Sequence, residues 1–136
     1  FLFRLANYVH PAVIRLVGNV EAAEADYLSA GCQSADVVCA RPDATGRAVA
    51  EGAARKVELV CLAEDVPPAE WKAWAAGPSS ESSACLIVGP YRSEESRRAW
   101  EDVKRLDAVV VSFDLYDYGL VFYDRSKQRQ HYIVNF

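Results

Sequence analysis

Apolar positions recur along this chain with two periods, one helical and one of alternate residues. Between positions 11 and 30, Val13, Leu16, Val17, Val20, Ala23 and Tyr27 fall on one stripe at three- and four-residue spacing, while Arg15, Asn19 and Glu21 fall largely elsewhere. That stripe predicts an amphipathic helix over 11–30, with Pro11 in its first turn and Gly31 as a left-handed stop. The runs 36–40 and 56–63, rich in Val, Leu and Cys, predict strands. Between them the Ala-rich stretch 47–55, with Gly46 and Gly52 at hand, fits either a short helix or a loop. Pro67-Pro68 opens a short helix carrying Trp71 and Trp74, which Gly77 ends, and a serine-rich surface loop runs on to Ser83. A buried strand follows over 84–88, and Gly89-Pro90-Tyr91-Arg92 turns it into a helix over 93–106. Ser93 caps that helix, Glu94 and Glu95 suit its start, Lys104 and Arg105 suit its end, and Ala99, Trp100, Val103 and Leu106 point inward.

The last third switches to a period of two. Val109, Val111, Phe113 and Leu115 alternate with Val110, Ser112, Asp114 and Tyr116, which predicts one buried and one wetter face. Turns are expected at 117–119 and 124–128, with strands over 120–123 and 130–136. Two architectures fit this order. In one, helices pack on one face of a mainly antiparallel sheet, as in ferredoxin-like domains; in the other, the early strands run parallel in a doubly wound sheet. The tight C-terminal hairpins favour the first. The expectation is one α+β domain over 1–136, with an N-terminal helix at 11–30, a central α/β part at 36–107 and a three-strand meander at 108–136.

Cys85-Leu86-Ile87-Val88-Gly89-Pro90-Tyr91, with the helix after it and the strand at Val109–Val111, resembles the second half of a SPOR (sporulation-related repeat) domain. The resemblance covers residues 84–112. It implies a small ferredoxin-like fold and binding to glycan strands of bacterial peptidoglycan. The chain departs from the pattern at Ser96, where a small apolar residue is usual, and at Asp65-Val66-Pro67-Pro68, where the first half of the motif would carry a glycine–aromatic turn.

Composition narrows the function classes. With 136 residues, 51% hydrophobic and 25% charged, the chain can bury a core without a metal or disulfide. A net charge of −4 argues against broad electrostatic binding to nucleic acid. The opening 1–9 is apolar but too short to span a membrane, and it either tucks into its own core or docks on a partner. Met is absent and the first residue is Phe1, so the sequence reads as a processed or truncated product. Cys32, Cys39, Cys61 and Cys85 show no C-x-x-C spacing and read as structural thiols of a reducing, intracellular compartment; a disulfide between neighbouring strands is the alternative. The periplasm is the alternative compartment, which the SPOR resemblance would imply.

Candidate chemistry is sparse. Cys61 or Cys85 with His131 and Asp114 forms a conceivable nucleophilic set, and His10 precedes Pro11 at the start of the expected helix. Asp114, Asp117 and Asp124 are oxygen donors near two hairpins, where Asp more commonly caps the turn. No glycine-rich phosphate loop occurs. We therefore expect no catalytic, cofactor or metal residues. Arg125, Lys127 and Arg129 form a basic turn near several tyrosines, a pairing enriched at protein interfaces. The resulting expectation is a non-catalytic protein-interaction module, an accessory subunit of a larger assembly, with homo-oligomers compatible. Its contact residues would be Phe1, Phe3, Tyr8, Tyr118, Arg125, Lys127 and Arg129. A SPOR-like glycan-binding domain and a small Cys/His-dependent enzyme are the alternatives.

Overall fold

The computed structural model describes residues 1–41, 56–78 and 80–134. At its centre lies β1 (Val13–Val17), all five residues of which are buried. The helix expected over 11–30 is thus replaced by a strand, a turn and the shorter helix α2 (Ala22–Gly31). Three- and four-residue spacing is shared by a helix stripe and by a strand covered on both faces, so periodicity alone favoured the wrong element. The β-branched Val13, Ile14 and Val17 suit a pleated strand. Gly18, at φ 79°, then ends the strand where the Asp65 carboxylate stands 2.4 Å from where a Cβ would be.

The first nine residues form α1 (Leu2–Val9), whose Leu2, Leu5, Ala6 and Val9 are buried. Of the two expectations for this terminus, its inner stripe takes the first and packs into the core. Where α1 meets α2, a Cβ at Gly31 would lie 2.3 Å from the Phe3 carbonyl oxygen, so only glycine permits that approach. The remaining elements are β2 (Asp36–Ala40), β3 (Glu58–Leu62), a 3-10 turn (Pro68–Glu70), α3 (Trp71–Ala75), β4 (Ala84–Val88), α4 (Glu94–Lys104), β5 (Val111–Asp114), β6 (Tyr118–Phe122) and β7 (Gln130–Ile133). Ser93 caps α4 as expected, its Oγ accepting from the Ser96 amide at 3.0 Å. The 47–55 stretch and Phe136 lie outside the described residues.

The strands form one seven-stranded sheet in the order β2-β1-β3-β4-β6-β5-β7. The domain is α+β with a C-terminal three-strand unit, as expected, but the sheet is mixed rather than mainly antiparallel. β1 to β4 run parallel, and β6 alone among the described strands runs against its neighbours. β6 folds back between β4 and β5, and β7 returns to the outer side of β5, parallel to it. Helices also cover both faces instead of one. Parallel neighbours need crossovers, and strands buried on both faces need two covering layers. α1 and α2 bury Ile14, Leu16, Leu59, Cys61 and Leu86 on one side. On the other, α3 and α4 bury Val17, Val60, Leu62, Cys85 and Ile87 under Trp74 and Trp100. Cys61 and Cys85 therefore face opposite layers, and all four thiols are free. No helix among the described residues is long and apolar enough to cross a membrane.

Candidate functional site

The outer half of the sheet inverts the expected polarity of β5. Ser112 and Asp114 are the buried side chains, while Val111 and Phe113 are only half-buried. The polar pair lies beneath α4 and is satisfied there. Ser112 Oγ hydrogen-bonds to Nδ1 of His131, its register partner on β7. Asp114 accepts from the Tyr91 hydroxyl, from Trp100 Nε1 at 3.4 Å and from the Tyr116 amide at 3.2 Å. A buried polar group costs little once it is paired in this way, so the alternation alone could not say which face is covered. The turn expected at 117–119 shifts accordingly. Tyr118 and Gly119 belong to β6, and Tyr116 carries the turn at φ 68°.

On the opposite face β7 is exposed along its whole length, and four aromatic rings cross the sheet there. Tyr132 stacks on Phe113 with centroids 5.1 Å apart. Phe113 meets Phe122 edge-on at 5.9 Å, and Phe122 meets Tyr8 edge-on at 6.2 Å. These separations and angles are those aromatic pairs prefer. The ladder is open to solvent at both ends: Tyr8 is 79% and Tyr132 43% exposed. α1 borders it on one side, with Phe1 against Tyr118 at 5.5 Å.

The structure thus brings Phe1, Tyr8 and Tyr118 to one border of this face, and Arg125 and Lys127 to the exposed turn that directly follows β6. Phe3 is exposed, but its backbone faces α2. Arg129 stands apart from them: its guanidinium donates to the carbonyls of Lys104 at 3.4 Å and Leu106 at 3.1 Å, capping the end of α4. Phe113, Phe122 and Tyr132, central to the ladder, escaped the sequence reading. For Phe113 the signal is the apolar half of the β5 alternation; Phe122 and Tyr132 lie on β6 and β7 and join it only through strand pairing.

The conceivable nucleophilic set of Cys61 or Cys85 with His131 and Asp114 does not converge. His131 is bound to Ser112, and the other imidazole, His10, lies 3.8 Å from the thiol of Cys32. That thiol donates to the Pro11 carbonyl at 3.5 Å. Burial, then the Glu24 charge, pushes the Cys61 thiol up to about 12, and burial raises Cys85 further. Thiols held this way stay protonated and inert at neutral pH. Asp124 closes its own turn, accepting from the amide and hydroxyl of Ser126 at 3.0 and 2.6 Å, which lowers its pKa. It follows β6, whereas Asp114 and Asp117 lie at the other end of that strand, so the three carboxylates do not share a site.

A concave feature opens at the carboxyl ends of β1, β3 and β4. It is a cleft of about 410 Å³, walled by the β1–α2 turn, the residues after β3, the Gly89–Arg92 turn and the β5–β6 hairpin. Tyr118 donates to Glu24 at 2.9 Å inside it, and burial followed by that bond raises the phenol's pKa. The Arg92 guanidinium spans to Glu64, donating to its carboxylate at 3.2 Å and its carbonyl at 2.8 Å. Sequence reading missed this cleft because its walls come from four segments spread over a hundred positions.

No family model matches the chain, and no curated protein sequence is similar to it.

Proposed function

We propose that this domain is a non-catalytic interaction module, an accessory subunit that uses the aromatic face of β5, β6 and β7 to bind a partner protein. The observation that supports this reading is the inversion of β5. Its apolar stripe, Val111 and Phe113, is half-buried at the rim of the first core layer, where Phe122 continues it and the exposed rings of Tyr132 and Tyr8 end it. Each large apolar side chain left in water forgoes about 1.5–3 kcal/mol that burial would contribute. Tyr and Phe are also enriched in protein interfaces, and Tyr among the residues that carry most of the binding energy. Arg125 and Lys127 at the end of β6 set the partner's chemistry: an apolar segment flanked by carboxylates.

The test is site-specific photo-crosslinking in the native source, with a benzophenone side chain at position 132, at position 8, or at Tyr27, which is exposed on α2. The expected result is one shared protein adduct at 132 and 8 that is absent at 27. It should also be lost when Phe113→Ser is added and weakened when Arg125 and Lys127 are replaced by Glu. Equal labelling at all three positions, or none, overturns the reading. Glycan binding, which the SPOR resemblance implies, would draw on the same rings, since sugar faces also stack on aromatics. Saturable binding of a peptidoglycan fragment, abolished by Tyr132→Ala, would replace the protein partner with a glycan.

A further inference from the structure

We infer that the cleft at the carboxyl ends of β1, β3 and β4 binds an organic cation, an amine or guanidinium held between carboxylates and a tyrosine pair. Topology places the cleft. The chain leaves β1 through α2 on one layer to reach β2, and leaves β3 through α3 on the other layer to reach β4. The two loops diverge, and the crevice between them is where open parallel sheets hold their ligands. A volume of about 410 Å³ suits a small ligand or one long side chain.

The lining sets the sign of that ligand. A crevice of this kind commonly takes an anion on the N-terminus of the first crossover helix. Here that terminus carries Glu21 at its cap and Glu24 in its first turn, so carboxylates stand where a phosphate would sit. Glu64 and Asp117 line the remaining walls, against the single guanidinium of Arg92 among the lining residues, and Arg92 is already bound to Glu64. The turn after β4 adds no anion cradle, because Pro90 lacks an N–H. Glu24 is engaged by Tyr118 and Glu64 by Arg92, while Glu21 and Asp117 add two further negative charges, so the net charge of the lining favours a cation.

The aromatic wall sets the class of cation. Tyr91 and Tyr116 lie nearly parallel, 21° apart, with centroids at 5.9 Å. Tyr91 is tied down through its hydroxyl to Asp114, and burial plus that bond push its pKa up to about 12, so it stays a neutral phenol. Tyr116 adopts a left-handed backbone, costly for a residue with a Cβ, and the Asp114 carboxylate holds its amide at 3.2 Å. A single buried carboxylate thus holds the Tyr91 hydroxyl and the backbone from which the Tyr116 ring extends. Flat guanidinium groups and alkylammonium groups are attracted to such faces, whereas a hydrated metal ion gains little there.

The cation has two sources, a free polyamine-like molecule or an Arg side chain of a protein partner, and the test separates them. The full chain is titrated calorimetrically with agmatine, with the capped peptide acetyl-Gly-Arg-Gly-amide and with ATP. Saturable one-to-one binding of agmatine is expected, weakening several-fold as salt is raised to screen the exposed carboxylates. Asp117→Asn and Glu21→Gln, both at exposed positions, should each weaken it roughly fivefold or more without lowering the melting temperature. Tyr116→Gly relieves the left-handed backbone while removing the ring, so binding should drop although the fold is kept. Comparable binding of the peptide assigns the site to an Arg side chain; agmatine alone assigns it to a free amine. Absence of saturable binding by both, or preference for ATP, overturns the inference. Tyr132→Ala should leave agmatine binding unchanged, which keeps this result separate from the aromatic-face reading.

Discussion

Gly119 of β6 lies against the indole of Trp100 so closely that a Cβ built on it would stand 2.7 Å from Cζ3 and 2.8 Å from Cη2 of the ring. Trp100 is fully buried between α4 and the sheet, and its Nε1 points at Asp114, so the ring has nowhere to move. Gly119→Ala should therefore cost about 1–3 kcal/mol through overpacking. Urea denaturation of the variant measures it. An unchanged midpoint would mean that the sheet flexes away from α4 more easily than the packing indicates.

A second prediction concerns the ion pair across β1 and β3. Arg15 Nη2 and Glu58 Oε1 lie 2.6 Å apart with side chains only 5% and 3% exposed. Removing one charge leaves the other buried without its countercharge, so Arg15→Met should destabilise by about 3–5 kcal/mol. The double variant Arg15→Met, Glu58→Leu should recover most of that loss, because two apolar side chains satisfy each other. A double-mutant cycle on unfolding free energies checks both statements.

These features also mark how far the sequence could be read. Ser93 announced α4 because an N-cap is a local event, and the strand at 84–88 stood out as a short apolar run between turn residues. Val13–Val17 was misread because burial on both faces erases the alternation that distinguishes a strand. α1 had the full signal, with Leu2, Leu5, Ala6 and Val9 at helical spacing, but was read only as an apolar terminus. The aromatic face depended on which side of β5 α4 would cover. That was settled by partners for Ser112 and Asp114 contributed by β7, α4 and the Gly89–Arg92 turn, which no local pattern contains. Neither the open face nor the cleft could be assembled before the strand order was known.

His131 makes stability depend on pH. Burial, then the Lys104 and Arg129 charges, hold its pKa below the ordinary value of about 6.5, against a smaller opposing effect of Glu101. The unfolded chain therefore binds the proton more readily, so its contribution to stability is full above the ordinary value and is lost as pH falls through the depressed folded one. The denaturation midpoint should decline on acidification from about pH 7 to about pH 5, and His131→Gln should decline less steeply over the same range. Parallel pH profiles for the two proteins would remove His131 as the titrating group.

The four thiols should report how the sheet opens. Cys39 on β2 is exposed, whereas Cys61 and Cys85 occupy the two core layers with pKa values raised by burial. A buried, protonated thiol reacts with an alkylating reagent only when the structure around it opens, so its labelling rate measures the free energy of that opening. Iodoacetamide should modify Cys39 in the native protein at a rate near that of a free thiol. Cys61 and Cys85 should be protected together, by a factor that falls in parallel as denaturant is added, because β3 and β4 are adjacent central strands and part only in global unfolding. Cys32, buried beneath α1 and bound to the Pro11 carbonyl, should fall between these limits, since displacing one short helix would expose it. Mass spectrometry of peptides after timed labelling distinguishes the three classes. Rapid native labelling of Cys85 would contradict the second core layer, because α3, α4 and the sheet leave that thiol no route to solvent.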